Sequence, residues 1–175
     1  NTPKKTQKRL IAEIDTYRLL GELSAEDLDY LKAENYYVDG LTLFETERDN
    51  SNLRTDKKVG LLYSDLADLD YFISGNFDVA LSNYMEAIEN YNDTPSIRYR
   101  VGYIQYANEN YTEALGSFIK AVNEKPSDKY LLLALGNTLT LRNSMSAAQG
   151  YYEKLIGMLD LERNQSGILR PQTNV

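Results

Sequence analysis

"SIRYRVGYIQYANENYTEALGSFIKAVNEKP", residues 96–126, holds two helical patterns joined by a polar break. In the first, Val101 and Ile104 belong to one apolar stripe, while Tyr99, Tyr103 and Tyr106 fall at i, i+4 and i+7 and form another. In the second, Ala114, Phe118 and Ala121 recur with helical spacing. Asn110 stands before it as a good N-cap, and Glu113 three residues on completes the pattern of a capping box. The stretch therefore reads as helix, short turn, cap, helix. It leaves one question: whether the tyrosines are core or a surface for another molecule.

Working outward, the same arrangement returns every 34 residues. Phe77, Tyr111 and Met145 share that step, as do Ala80, Ala114 and Ala148. So do Tyr84, Phe118 and Tyr152, and then Ala87, Ala121 and Leu155. In the preceding half, Ala67, Val101 and Leu135 are in register, each followed directly by Asp68, Gly102 or Gly136. Polar residues give an independent check. Asn76, Asn110 and Ser144 keep the spacing and are all N-cap formers, while Thr94 with Pro95 and Pro126 with Ser127 mark further helix starts. The small residues are expected where two helices cross closely, because a larger side chain there overpacks the contact at a cost of ~1–3 kcal/mol.

This pattern resembles the tetratricopeptide repeat family, whose helix-turn-helix unit has a 34-residue period. The middle copy is the nearest match, with "VG", then "NYTEALGSFIKAV", then Pro126. The first departs from the family at Asp68, where a small residue is expected, and at Asn92, where the closing proline is expected. The third carries Leu155 for the second alanine and Asp160 for the proline. The resemblance implies an all-α fold, an α-solenoid of such repeats at 61–94, 95–128 and 129–162. A single repeat cannot bury its own apolar face, so about three stacked copies are the usual minimum.

The flanks lack the strict period. Residues 1–60 read as an N-terminal helical hairpin or a degenerate repeat. Leu10, Ile14, Tyr17 and Leu20 mark a helix expected to end near Gly21, and Ser24 with Asp27 is expected to cap a second one. Gly40 either breaks that second helix or is tolerated inside it. "DNSNLRTD", residues 49–56, reads as a loop. Residues 163–175 read as a polar tail, with three explanations open for the missing cap: Ile168 and Leu169 fold back, the protein continues, or the end pairs with another subunit.

Composition narrows the function. A net charge of −7 speaks against a nucleic-acid backbone as main partner. The longest apolar-rich run, "YLLLALGNTLTL", is too short and polar to span a bilayer, so no direct membrane insertion is expected. Cysteine and histidine are absent, which removes disulfides, thiolate metal sites and the usual nucleophile–base pairs. The carboxylates of "SDLADLDY" follow no metal-binding spacing, and no glycine loop cradles a phosphate. No catalytic residue, metal or cofactor is expected. With Asn1 rather than Met at the start, any targeting segment is out of view and the location stays unassigned. "PKKTQKR", near the start, reads as a solvated basic terminus or a docking patch.

In the family, first helices face the concave side of the superhelix. The resemblance thus implies a groove stripe of Ser96, Tyr99, Tyr103 and Tyr106 in the middle copy. Its equivalents are Leu62, Asp65, Leu69 and Phe72 in the first copy, and Tyr130, Leu133, Asn137 and Thr140 in the third. One subset of the family grips a peptide carboxylate with lysine, arginine and asparagine, and only Asn137 fits that chemistry here. The expectation is a non-enzymatic adaptor or scaffold within a larger assembly, holding an apolar or aromatic protein segment in that groove. The alternatives are a structural subunit that self-associates through exposed solenoid ends, a glycan or ligand binder stacking on the tyrosines, and an accessory domain of an enzyme. The opposed reading of the tyrosines is that they, or the amino-terminal helices, fill the groove.

Overall fold

The computed structural model describes residues 6–51 and 53–165. Among these residues it is all-α, with eight α-helices and no strand. The chain forms two compact units, Asn1–Ile97 and Arg98–Val175.

The first unit contains α1 (Gln7–Glu26), α2 (Tyr30–Ser51), α3 (Lys57–Leu69) and α4 (Phe77–Glu89). Between α3 and α4 the helix widens into a π-helical turn, Asp70–Ser74. The helices pair in sequence, α1 with α2 and α3 with α4, and α3 also packs on α1 and α2. The second unit takes in most of α5 (Pro95–Ala107), then α6 (Tyr111–Glu124), α7 (Lys129–Leu141) and α8 (Met145–Gln165). Its core joins Ala114, Leu115, Phe118, Ala121 and Val122 of α6 to Leu131, Leu132 and Leu135 of α7.

The contact that defines each hairpin is a helix backbone lying against an aromatic ring. A Cβ added to Gly102 would stand 2.6 Å from the Phe118 ring, and one on Gly136 would stand 2.4 Å from that of Tyr152. Real Cβ atoms do not approach so closely, so only glycine allows these crossings. The α3–α4 pair solves the same position differently. Asp68 stands where glycine stands in the other two, and the buried Tyr84 hydroxyl donates to its Oδ1 at 2.6 Å. The missing proline is also explained: Asn92 is buried and its Nδ2 donates to Ser64 Oγ at 2.9 Å and to the Gly60 carbonyl at 3.3 Å.

The α1–α2 pair carries the same signature out of period. Gly21 faces the Tyr37 ring, where an added Cβ would be 2.1 Å away. Ala33 and Tyr37 are buried, and Gly40 continues the small–aromatic–small spacing. Its turn also matches. Leu28 (φ 62°) sits in the left-handed region just before the second helix, as do Gly75 (φ 67°), Glu109 (φ 62°) and Asn143 (φ 57°) in the later pairs. Backbone hydrogen bonds hold these turns: Asp29 N–H donates to the Ser24 carbonyl, Asn110 to Gln105 and Ser144 to Leu139, at 2.8–2.9 Å.

Several local expectations are corrected. Gly21 does not end α1; it lies inside it because Tyr37 needs the space. Ser24 caps nothing: its Oγ donates to the Leu20 carbonyl within α1, and Asp29 accepts from Lys32 N–H at the start of α2. Gly40 is tolerated inside α2, where an added Cβ would meet Leu62 at 2.9 Å and Tyr17 at 3.1 Å. The first residues of the expected loop at 49–56 belong to α2, and Leu53 beyond it is buried. Asn76 and Asn110 precede their helices yet make no side-chain cap, so the capping box at Asn110 does not form. In the three later pairs the side-chain caps instead open the first helices: Asp56 accepts from Lys58 N–H, Thr94 from Ile97, and Asp128, rather than Pro126 or Ser127, from Tyr130 and Leu131. Helix α8 runs to Gln165, past the expected start of the tail; the remainder of the tail and residues 1–5 lie outside the described residues.

Candidate functional site

The expected groove residues divide between two depressions, one in each unit. In the second unit, α5 contributes Tyr99, Tyr103 and Tyr106, and α7 contributes Tyr130, Leu133 and Asn137, around a cavity of about 170 Å³ floored by Phe118. The tyrosine stripe is neither all core nor all surface. Tyr99 and Tyr106 pack against the core, and burial raises the Tyr99 phenol above its ordinary pKa. Tyr99 stacks on Tyr103 at 6.4 Å between centroids and tilts over Phe118 at 5.9 Å, while Tyr106 meets Tyr111 edge-on. Each such pair contributes ~0.5–1.5 kcal/mol beyond its buried area. Tyr103, Leu133 and Tyr130 are exposed, Tyr130 to 73%. Half-buried rings thus support exposed ones. Asn137 is engaged from within, its Oδ1 accepting from the Tyr152 hydroxyl at 2.8 Å. Thr140 likewise lies within 3.2 Å of that hydroxyl.

The α3 residues sit elsewhere in the chain's chemistry. Leu62 is fully buried and is withdrawn from the groove: it packs where Gly40 of α2 comes close. Asp65, Leu69 and Phe72 line a depression of about 450 Å³ in the first unit. Its other wall comes from Glu22 and Glu26 of α1 and from Tyr30 and Tyr37 of α2. The amino-terminal helices therefore border this depression instead of filling it, a contribution invisible in the α3 stripe itself.

One guanidinium organises the charge there. Arg18 is buried and pairs with Asp15 at 2.9 Å, Glu22 at 2.7 Å and Asp65 at 3.0 Å. Lys58 adds a second cation to Asp15 at 2.7 Å, and hydrogen bonds to Lys58 and Arg18 outweigh burial in lowering the Asp15 pKa. Asp65 goes the other way. Burial pushes its carboxyl up to about 6, Arg18 draws it down, and the charges of Glu22 and Asp68 push it up again. Burial likewise raises the Tyr37 phenol. Among the described residues no group of carboxylates is placed to hold a metal ion, and no helix is long and apolar enough to cross a membrane.

Repeated helical pairs with a glycine–ring contact and a left-handed turn define a tetratricopeptide-type helical-repeat fold of the α-solenoid class. Among solved structures the chain is similar to MamA, with a TM-score of 0.67 and 15% identity over 86% of this chain and 81% of that one. It is also similar to BtubC from P. vanneervenii, with a TM-score of 0.66 and 16% identity over all of this chain and 71% of that one. A third likeness is the C-terminal part of a TPR repeat-containing protein from Cytophaga hutchinsonii, with a TM-score of 0.60, 20% identity, and 93% and 56% of the two chains covered. No family model matches the chain. No curated protein matches it by sequence. At these identities the likeness establishes the fold.

Proposed function

We propose that the chain is a non-enzymatic protein-interaction module that seats a segment of a partner protein, within a larger assembly, on the aromatic depression between α5 and α7. One observation carries this reading: Tyr103, Tyr130 and Leu133 are exposed around a cavity whose deeper rings, Tyr99 and Tyr106, are held by the core. Rigid aromatic side chains offer large amphipathic area at small entropic cost. A volume of about 170 Å³ is too small for a typical small-molecule or cofactor site, which runs ~300–1,000 Å³. It suits one anchoring side chain of an extended or helical peptide.

The test is capture of partners by the chain and by a Tyr103→Ser, Leu133→Ser double variant. Both residues are exposed, so the variant is expected to melt within a few degrees of the parent while losing the captured partner. Undiminished capture removes this surface from consideration.

A second reading, self-association through the outer face of α8, has its own observation. Val122 of α6 is 8% exposed, whereas Ile156, at the same register of α8, is 58% exposed and has Leu159 beside it at 46%. Sedimentation across a concentration series separates the two. A monomer throughout eliminates self-association.

A further inference from the structure

The wall of the α5–α7 depression is uncharged and yet rich in hydrogen-bond donors. Tyr99, Tyr103, Tyr106 and Tyr130 line it together with Asn137, and no charged side chain does. Asp128 acts on the Tyr99 phenol through space, but its Oδ1 is taken by the N–H groups of Tyr130 and Leu131 that open α7. Among the described residues, none of the four phenol hydroxyls has a hydrogen-bond partner. Asn137 accepts from Tyr152 through Oδ1, which leaves its Nδ2 as a further donor. The rings of Tyr99 and Tyr103 lie close to parallel, 27° apart in plane, so the wall offers ring faces as well as donors.

Building on the reading of this depression as a partner site, we infer that its occupant is a proline-bearing segment in the polyproline II conformation. The backbone of the occupant decides the form. A β-strand partner needs a sheet edge to extend, and the described residues contain no strand. A helical partner has already paired its own N–H and C=O groups. Laid on this wall, it would cover the phenol hydroxyls without accepting from them, and a buried polar group without a partner is costly. A polyproline II segment makes no internal hydrogen bonds, so its carbonyls are open to outside donors. Its prolines carry no N–H, so a wall of donors meets a backbone of acceptors. Charge selects the side chains. A lysine, arginine, aspartate or glutamate would lose water against a lining that holds no counter-charge. Motifs recognised through a phosphate need an arginine cluster, which this lining lacks. Proline is neutral, and its fixed φ leaves little entropy to lose when its ring settles on an aromatic face. A cavity of about 170 Å³ accommodates one such ring, with the exposed Tyr103, Leu133 and Tyr130 beside it.

The experiment uses the full chain and three probes: a capped peptide of repeated Pro-Pro-Ala, its all-D enantiomer, and a stapled amphipathic helix with leucine anchors. Titration calorimetry gives affinities, and amide NMR locates the contact. The L-proline peptide is expected to bind and to shift resonances of Tyr103, Tyr130 and Leu133. Its affinity is expected to change less than about 2-fold between ~50 and ~300 mM salt, because no ion pair forms. The enantiomer, with the same composition and the opposite hand, is expected not to bind. Tyr103→Phe with Tyr130→Phe keeps the rings and removes two donors. Both residues are exposed, so the fold is expected to stay intact while binding weakens at least about 5-fold. The inference is overturned by equal binding of the two enantiomers, by no binding up to millimolar concentration, by affinity indifferent to the phenylalanine changes, or by the leucine helix binding these residues more tightly than the proline peptide. If the Tyr103→Ser, Leu133→Ser variant loses its captured partner and the proline peptide still does not bind, the inference fails and the α5–α7 reading stands. Undiminished capture removes that reading and this inference together.

Discussion

The two depressions are made from the same kind of helical pair and differ in chemistry. Where α3 carries Asp65 and Asp68, α5 carries Tyr99 and Gly102, and α7 carries Leu133 and Gly136. The scaffold contact survives the change: a glycine backbone under a ring in two cases, a carboxylate accepting from a phenol in the third. What changes is the neighbour required. The aromatic stripe of α5 rests on Phe118 and needs nothing charged, whereas Asp65 is tolerable because α1 brings Arg18 to it. The amino-terminal pair is therefore the counter-charge of α3, and more than a flank. Hairpin packing and surface chemistry are set by different residues, and one can vary without the other.

The comparison can be broken most severely at Gly60, where α3 begins against the end of α4. An added Cβ there would lie 2.4 Å from the Asn90 carbonyl oxygen and 2.9 Å from that of Ala87, backbone atoms that have no rotamer to yield. Gly60→Ala is expected to cost ~3 kcal/mol, read as a lower thermal midpoint by circular dichroism. Next comes Arg18→Met, which removes the counter-charge and leaves Asp15 and Asp65 facing each other's field. A loss of ~2–3 kcal/mol is expected, below the usual figure for a broken buried pair because Asp65 and Asp15 retain some solvent. If that variant is as stable as the parent, α1 is not the partner that α3 needs. Gly116→Ala sharpens the contrast from the other side. Nothing lies within 4 Å of the Cβ it would add, so it is expected to stabilise α6 by ~0.5–1 kcal/mol.

The smallest effect concerns protonation. The groups facing Asp65 are Arg18 and Glu22 from α1, Tyr37 from α2 and Asp68 from α3, with Asp68 itself accepting from Tyr84 of α4. Folding raises the Asp65 pKa to about 6, so its stabilising contribution is greatest below the unfolded value of 3.8 and is lost as pH rises through about 6. Asp65→Asn is therefore expected to lose this contribution, read as a thermal midpoint that falls less than the parent's between about pH 4 and about pH 6. An unchanged slope means that Asp65 does not titrate in this window.

The periodic part of this fold was legible because the same contact recurs at a fixed step: Gly102 and Gly136 under their rings, Ala80, Ala114 and Ala148 at the crossing. The first pair obeys the same rule, with Gly21 under Tyr37, but a single copy out of step produces no period. Its helices are longer, 20 and 22 residues against 13 or 14 in α3 to α7, so nothing aligns it with the rest. Gly21 and Gly40 read in sequence as helix breakers, and only their spatial neighbours reveal them as contacts. The capping asparagines misled for a related reason. At Asn76 and Asn110 the left-handed residue just before them had already closed the turn through backbone hydrogen bonds. For the candidate sites, helical spacing gathered Tyr99, Tyr103 and Tyr106 into one stripe and the family resemblance added Tyr130 and Leu133 as their equivalents, whereas Glu22 and Glu26 reach Asp65 only through tertiary packing.

Those left-handed elbows have a consequence for variation. Leu28, Gly75, Glu109 and Asn143 share no side-chain chemistry, yet each bends the chain the same way, because main-chain atoms do the bending. The corner letter therefore differs from hairpin to hairpin while the two rods it joins stay paired, although a side chain put at Gly75 would be strained in that backbone conformation. Corners are where such a protein can acquire new surface markings while its joinery stays as it was.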